Sequence, residues 1–292
     1  MKSASKNILL LFAVALWFAS CEQIIEIDLP EHDPVLVVNS TFTPDSTWAA
    51  SVTKSQGIQV PRRPADVVDA TVLILENGAV IDTLRHDQWD IYTSVRGTHP
   101  VAGHSYTLQA SAPGYETVSG TDIVPMQTTP FDLAWRDSVY YDQFDGHHGE
   151  FSFKIADRPG EENFYMLNVY RVDSVFESGD TLFHFGPVRL LVQDPVLSSD
   201  DESGAILFDD ATFDGTTRTL RVLIQSNDHA SASILVLGLS TVSKSYYLYS
   251  KTLPAHLSNG FNPFAEPVRV HSNMTPGMGI FAGYSATFGL VP

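Results

Sequence analysis

The chain is poor in cysteine, in basic residues and in long apolar runs, and each shortage excludes something. One cysteine, Cys21, stands in 292 residues, so no disulfide closes within the chain and burial has to hold it together. Lys and Arg number 17 against 34 Asp and Glu, for a net charge of −17. No basic run exceeds Arg62 and Arg63. Nucleic acid, whose binders draw most of their affinity from Lys and Arg on phosphates, is excluded as a partner class. The longest unbroken apolar run, Ile8 to Ala19, is 12 residues, short of the roughly 20 that span a bilayer as a helix. Three catalytic patterns are also missing: G-x-S-x-G, H-E-x-x-H and a cysteine nucleophile away from the leader. A Ser-His-Asp set assembled from distant residues leaves no such trace, which keeps an envelope hydrolase as a third function class behind the two developed below.

That short apolar run is informative in its own right. Lys2 and Lys6 precede it, small residues Ala19 and Ser20 close it, and Cys21 follows at once. A basic start, an apolar centre and small residues before a cut site make a secretory signal. A cysteine directly after Phe18, Ala19 and Ser20 is the lipoprotein form of that signal, although Phe18 stands where Leu is usual. Residues 1–20 then form the signal and Cys21 becomes the acylated first residue of the mature protein. Removing two lysines and no acid leaves 17 − 2 = 15 basic residues against 34 acidic, a net charge of −19.

Beyond the leader, residues 21–33 read as an acidic tether. The pattern then takes a period of two, the mark of half-buried strands. From His104 to Ala110, Tyr106, Leu108 and Ala110 share one face. Val72 to Leu75 run into Glu76, Asn77 and Gly78, and Asn-Gly supplies the positive φ angles of a type I′ hairpin turn. Pro113 and Gly114 mark another turn. Pro100, Gly103 and Tyr106 are spaced like the tyrosine corner of fibronectin-type and carboxypeptidase-regulatory-like sandwiches, a resemblance in which the Tyr106 hydroxyl bonds back to nearby backbone. Residues 34–125 are therefore expected to form a seven-strand immunoglobulin-like sandwich.

Pro125 to Pro130 reads as a linker, with 126–130 as its span. Residues 131–292 are expected to form a larger β-rich domain, sandwich or barrel-like, so the fold class is all-β. Its strand signals alternate: Phe131, Leu133 and Trp135; Phe151, Phe153 and Ile155; Phe164, Met166 and Tyr170; Leu220, Val222 and Ile224. An apolar run from Ile234 to Leu239 and a Gly-rich strand from Ile280 to Val291 complete the set. One helix is expected near 241–253, with Val242, Tyr246, Tyr249 and Leu253 on one face, Ser240 or Ser243 as N-cap and Pro254 as its stop.

Several patterns could carry chemistry. Gly277, Gly279 and Ala282 match G-x-G-x-x-A, but no helix or downstream acid can follow in the sequence given, so the glycines are expected at a tight β-turn and no cofactor is implied. Asp142, Asp145, His147, His148 and Glu150 are metal-ligating types packed into nine positions, yet they read as turn and solvating residues. The run from Asp200 to Glu202 and the group Asp209, Asp210 and Asp214 lack EF-hand spacing and read as solvated loops. Trp48, Trp89, Tyr140, Tyr141 and Phe144 lie beside turns or polar residues and could stack on sugar rings, although in a β-sandwich such residues are more often core; Trp89, Tyr140 and Tyr141 are the ligand candidates kept. Ile280 and Phe281 are expected to enter either the core or a partner groove.

Three segments together resemble one family. Cys21 to Pro30 followed by Val35 to Asn39, Tyr106 to Tyr115 ending in Pro-Gly-Tyr, and Asn262 to Phe264 with Glu266, Pro267, Ser272, Asn273 and Gly279 to Phe281 are similar to the Bacteroidota lipoproteins grouped as domain of unknown function 4249. The resemblance spans residues 21–285. It implies a lipid-anchored outer-membrane protein, surface-facing, encoded beside a TonB-dependent transporter and assisting it by capturing substrate or capping the barrel. It brings no catalytic or ligand residues and no cofactor. A surface glycan-binding module is the alternative.

Overall fold

A computed structural model describes residues 33–57, 63–144, 146–177, 180–192, 194, 197, 204–226, 233–259, 266 and 268–291. Residues 1–32, which hold Cys21, the expected signal and most of the expected tether, lie outside the described residues, as do Asp145, Asp200 to Glu202, Asn262 to Phe264 and Pro267.

The period-two segments of the first half become seven strands: β1 (Leu36–Phe42), β2 (Ala49–Lys54), β3 (Thr71–Glu76), β4 (Ala79–Gln88), β5 (Ile91–Ser94), β6 (Ser105–Ser111) and β7 (Val118–Ile123). Alternation dictates their faces. Val72 and Ile74 of β3, and Tyr106, Leu108 and Ala110 of β6, are all buried. Asn77 and Gly78, with φ of 52° and 80°, turn β3 into β4 as the Asn-Gly pair requires. The Tyr106 hydroxyl accepts the Val101 N–H at 2.9 Å, which is the back-bond expected of a tyrosine corner.

The second half supplies β8 (Phe131–Asp142), β9 (Gly146–Ala156), β10 (Phe164–Glu177), β11 (Asp180–Pro187), β12 (Leu190–Val192), β13 (Ile206–Asp209), β14 (Thr217–Gln225), β15 (Ser233–Val242), the helix α1 (Lys244–Asn259) and β16 (Met278–Leu290). Among the described residues the strands form two sheets. One is mixed, in the order β11-β10-β15-β16-β1-β2-β5-β4-β3-β6-β7 with β13 also on β10. The other is antiparallel, in the order β12-β14-β9-β8. The chain is mostly β, as its patterning implies.

Two hydrophobic cores result. The first gathers apolar residues of β1 to β7, and the large sheet curls around it until β7 meets the chain entering β16, where Ser119 and Thr275 exchange two backbone hydrogen bonds of 2.9 Å. The second lies between the end of the large sheet and the four-strand sheet. Tyr165, Leu167, Val169, Leu235, Leu237 and Leu239 face Phe151, Phe153, Leu220, Val222 and Ile224 across it. The alternating apolar residues Phe164, Met166 and Tyr170 of β10 are half-buried on the other side, because a period of two fixes which residues share a face but not which face meets the core.

Strand β16 is shared by the strands that frame the two cores. Its first half pairs in parallel with β1, Val37 to Phe42 against Met278 to Gly283, and its second half pairs antiparallel with β15. Phe281 and Met274, from the end of the chain, complete the first core. Residues Pro34–Pro292 form one compact unit. Around Pro125 to Thr128 the chain is fastened along β16: Ser285 Oγ donates to Pro125 O at 2.7 Å, Gln127 Nε2 to Ala286 O at 2.7 Å, and Thr287 Oγ1 to Thr128 O at 3.0 Å.

The helix departs from its expected span. Val242 ends β15, and Ser243 is the N-cap, its hydroxyl accepting the Tyr246 N–H at 3.1 Å while donating to Asp122. The helix also passes through Pro254 to Asn259 instead of stopping there. Proline withholds one N–H from the interior ladder, and packing of this helix on the sheet outweighs that loss.

Candidate functional site

Three carboxylates converge where the loops before β10 and after β13 meet. Oxygens of Asp157, Asp210 and Asp214 lie within 4.8 Å of one another, the single convergence of metal-ligating side chains among the described residues. Two of them, Asp210 and Asp214, help line a cleft of about 410 Å³ with Gly160, Glu161, Glu162, Phe164, Asp209 and Ala211. Each acid already has partners. Asp157 accepts from the Tyr165 hydroxyl at 2.6 Å and the Gly215 N–H at 3.0 Å. Asp210 accepts from the backbone N–H and the side-chain amide of Asn163 at 2.8 and 3.1 Å, and Asp214 from the Gly160 N–H at 2.8 Å. Burial pushes the Asp210 carboxyl up, despite the Asn163 bonds that favour its charged form, and burial with the Asp157 bond pushes the Tyr165 phenol up. Three carboxylates offer part of the six to eight oxygens a calcium ion takes. What the recorded bonds do is clasp the 157–163 loop to the 209–216 loop.

This corrects the solvated-loop expectation for Asp209 and Asp210, while Asp214 is exposed in its loop as expected. Asp210 is 5% exposed, and Asp209 accepts a hydrogen bond from the Tyr247 hydroxyl at 3.2 Å. The His-Asp segment forms a turn and strand, but the solvating expectation is corrected for His148, which is 2% exposed. Asp142 accepts the Phe144 N–H at 2.7 Å, Glu150 pairs with Arg136 at 2.5 Å, and His147 and His148 point to opposite faces of β9.

The ligand candidates separate. Trp89 is 64% exposed at the β4–β5 turn with φ of 60°, uncommon for so bulky a residue. The Arg63 guanidinium sits 5.3 Å from its ring centroid and pairs with Asp90, whose carboxyl is held below its usual range by the Ser51 hydroxyl with Arg63 alongside. Tyr140 and Tyr141, 41% and 62% exposed, stand on the other sheet, near the tip of the β8–β9 hairpin. Their rings lie 5.7 and 5.0 Å from those of His148 and His147. Phe144, at that tip, is the most exposed of the aromatics considered, at 86%. Trp48 is a core residue, 1% exposed, its indole N–H donating to Thr98 Oγ1 at 3.1 Å.

Ile280 and Phe281 are buried, and the core is the destination of the two that the structure bears out. Phe281 stacks on Phe42 with centroids 4.3 Å apart, so neither side chain is presented to a partner here. Gly277 and Gly279 lie where β16 comes against β1. A Cβ on Gly279 would stand 2.0 Å from Val38 O, and its φ is 110°. Close backbone approach in a parallel pair, and not the tight turn expected, explains these glycines.

The model of the family described as domain of unknown function, DUF4249, matches residues 22–288. The chain belongs to the DUF4249 family. No curated protein matches it.

In this DUF4249 member the sequence reasoning missed Asp157 and Asp82. Asp157 had no spacing signal, since the two carboxylates it meets, Asp210 and Asp214, are more than fifty positions away. Asp82 had one: it is two positions before the apolar Leu84 in β4, and the period of two turns it inward. It is fully buried and accepts from the Thr83, Arg96 and Thr98 N–H groups at 2.7, 3.1 and 3.3 Å and from the Ser94 and Thr98 hydroxyls at 2.6 and 2.5 Å. Burial alone would raise this carboxyl; the hydrogen bonds outweigh it and hold it at about 2.

Proposed function

We propose that this DUF4249 protein is a non-enzymatic lipoprotein of the outer membrane, surface-facing, that assists a TonB-dependent transporter by capturing substrate or capping its barrel. The observation that carries the reading is Cys21, the sole cysteine, placed directly behind a 12-residue apolar run with a basic start. Membership of the DUF4249 family supports it through the lipoprotein resemblance described above. Acylation needs the thiol. Cys21→Ser is expected to abolish lipid labelling and leave an unprocessed precursor; a mutant of mature size that still enters the detergent phase sinks the anchor. Pull-down from detergent-solubilised outer membranes tests the partner, and recovery across several detergents with no barrel protein sinks that part.

A second reading, a glycan-binding module, is favoured by the exposure of Trp89 and Tyr141. It requires that Trp89→Ala or Tyr141→Ala weaken binding by about 1 kcal/mol or more, the scale at which interface residues register on truncation. A glycan array that stays silent with the intact protein removes it.

A further inference from the structure

Registers across the large sheet place a row of exposed apolar side chains on one face. Phe185 lies opposite Val172, which lies opposite Ile234; Leu290 lies opposite Val236, and Phe288 opposite Gly238. Directly opposed residues share a face, so Phe183, Phe185, Ile234, Phe288 and Leu290 all project away from the second core. They are 61%, 74%, 53%, 66% and 68% exposed. No Asp, Glu, Lys or Arg occupies the outward positions described on β11, β10, β15 and β16, in a chain with 34 acids. A Cβ on Gly238 would lie 3.3 Å from both the Phe288 and the Tyr170 rings, which fill the notch that glycine leaves.

Helix α1 covers the other end of this face. Tyr247 lies 4.7 Å from Phe164 and Tyr246 lies 5.7 Å from Tyr284, ring to ring. The face is thus composed as an inner surface along its length, and only part of it is covered by the described residues.

We propose that a second copy of this chain covers the open part, packing sheet against sheet about a two-fold axis. Area supports that occupant. A large side chain carries about 150–250 Å², so five at these exposures present on the order of 500–800 Å², at or above the largest patch of a typical monomer. Two such faces together bury roughly 1,000–1,600 Å², reaching the range of a stable interface. Charge supports it too, because two copies of a strongly acidic chain can meet here without bringing carboxylates together. Height separates it from a lipid surface. A helix about 10–12 Å thick stands on the same face, and a flat bilayer meets that ridge before the sheet. A second sheet lies about 10 Å above the first, at the level of the helix. The contact is isologous, the same patch on both copies.

The proposal does not rest on the transporter reading, and its test is separate. Sedimentation velocity of the purified full chain in a density-matched nonionic detergent is expected to show a dimer at tens of micromolar. Phe185→Glu and Leu290→Glu, both at exposed positions, are expected to weaken association by at least about tenfold with circular dichroism and melting unchanged. Trp89→Ala leaves the dimer intact. A wild-type monomer throughout that range overturns the proposal, as does a dimer that neither Glu variant weakens. A monomer whose binding to phosphatidylcholine vesicles depends on Phe185 and Leu290 overturns it in favour of lipid.

Discussion

Phe281→Ala is expected to lower the stability of the folded chain by about 3–5 kcal/mol, the cost of emptying a fully packed aromatic site. The phenyl ring is fully buried, stacked on Phe42 and 6.4 Å from the Trp48 ring, and Trp48 in turn meets Tyr106 edge-on at 4.9 Å. Its backbone is fixed as well: Asn273 Oδ1 accepts the Phe281 N–H at 2.9 Å and Asn273 Nδ2 donates to Phe281 O at 2.7 Å. With the backbone pinned, the neighbours have little room to collapse into the cavity, which favours the upper part of that range. Because β16 also pairs with β15, the loss should move a single unfolding transition of both cores instead of melting the first alone. Urea unfolding followed by tryptophan fluorescence and circular dichroism checks this. An unchanged midpoint would show that Phe281 does not hold the first core.

Asp82→Ala is the second large effect. It strands three backbone N–H groups and two hydroxyls that now share one carboxylate, and each buried donor left unpaired costs about 1–3 kcal/mol. The combined loss is placed at about 3 kcal/mol or more, less than the sum because the 94–98 loop can relax. Thr98 also accepts the Trp48 indole N–H, so the disturbance reaches the aromatic core.

The same residue gives a pH signature. Its folded pKa of about 2 lies below the ordinary aspartate value of 3.8, so its stabilisation is fully present above the unfolded value and is lost as pH falls through the folded one. The difference is worth about 2 kcal/mol, and the window runs from roughly pH 4 down to pH 2. Asp122 and Asp210 are raised, mainly by burial, and act in the opposite sense: each costs stability when charged, and that cost is relieved as pH falls through its folded value, which lies above 3.8. Asp90 is lowered like Asp82, so the comparison must be made against Asp82→Asn at each pH. The difference in stability between the two proteins should shrink by about 2 kcal/mol across that window. A constant difference would remove Asp82 as the source.

How far the sequence revealed this architecture depends on the range of the interaction. The β3–β4 hairpin, the turn at Gly114 and the Tyr106 corner rest on residues within a few positions of one another, so turn chemistry and alternation suffice. The pairing of β1 with β16 joins residues about 240 positions apart, and nothing in either strand names the other. That contact decides where Ile280 and Phe281 go, which is why the sequence alone leaves both the core and a partner groove open to them. The acidic trio was half visible: Asp210 and Asp214 stand together in the sequence, but their third member, Asp157, comes from the loop after β9, and nothing local marks Asp210 as buried while Asp214 stays exposed. Trp48 and Trp89 have similar polar neighbours, and only the fold separates a core indole from an exposed one.

The double membership of β16 also has a consequence in time. As the chain is synthesised from its N-terminus, β1 to β7 are available while the strand that completes their core is still 155 residues away, from Ile123 to Met278. At typical elongation rates that interval is on the order of ten seconds. Until it ends, the edge of β1 that later receives β16 and the slot later filled by Phe281 stay open. An unpaired strand edge beside an apolar slot is a sticky surface. A nascent chain of this protein therefore has to be shielded for far longer than its first seven strands would need if they closed by themselves, and chaperone dependence during synthesis should fall sharply once Leu290 has emerged.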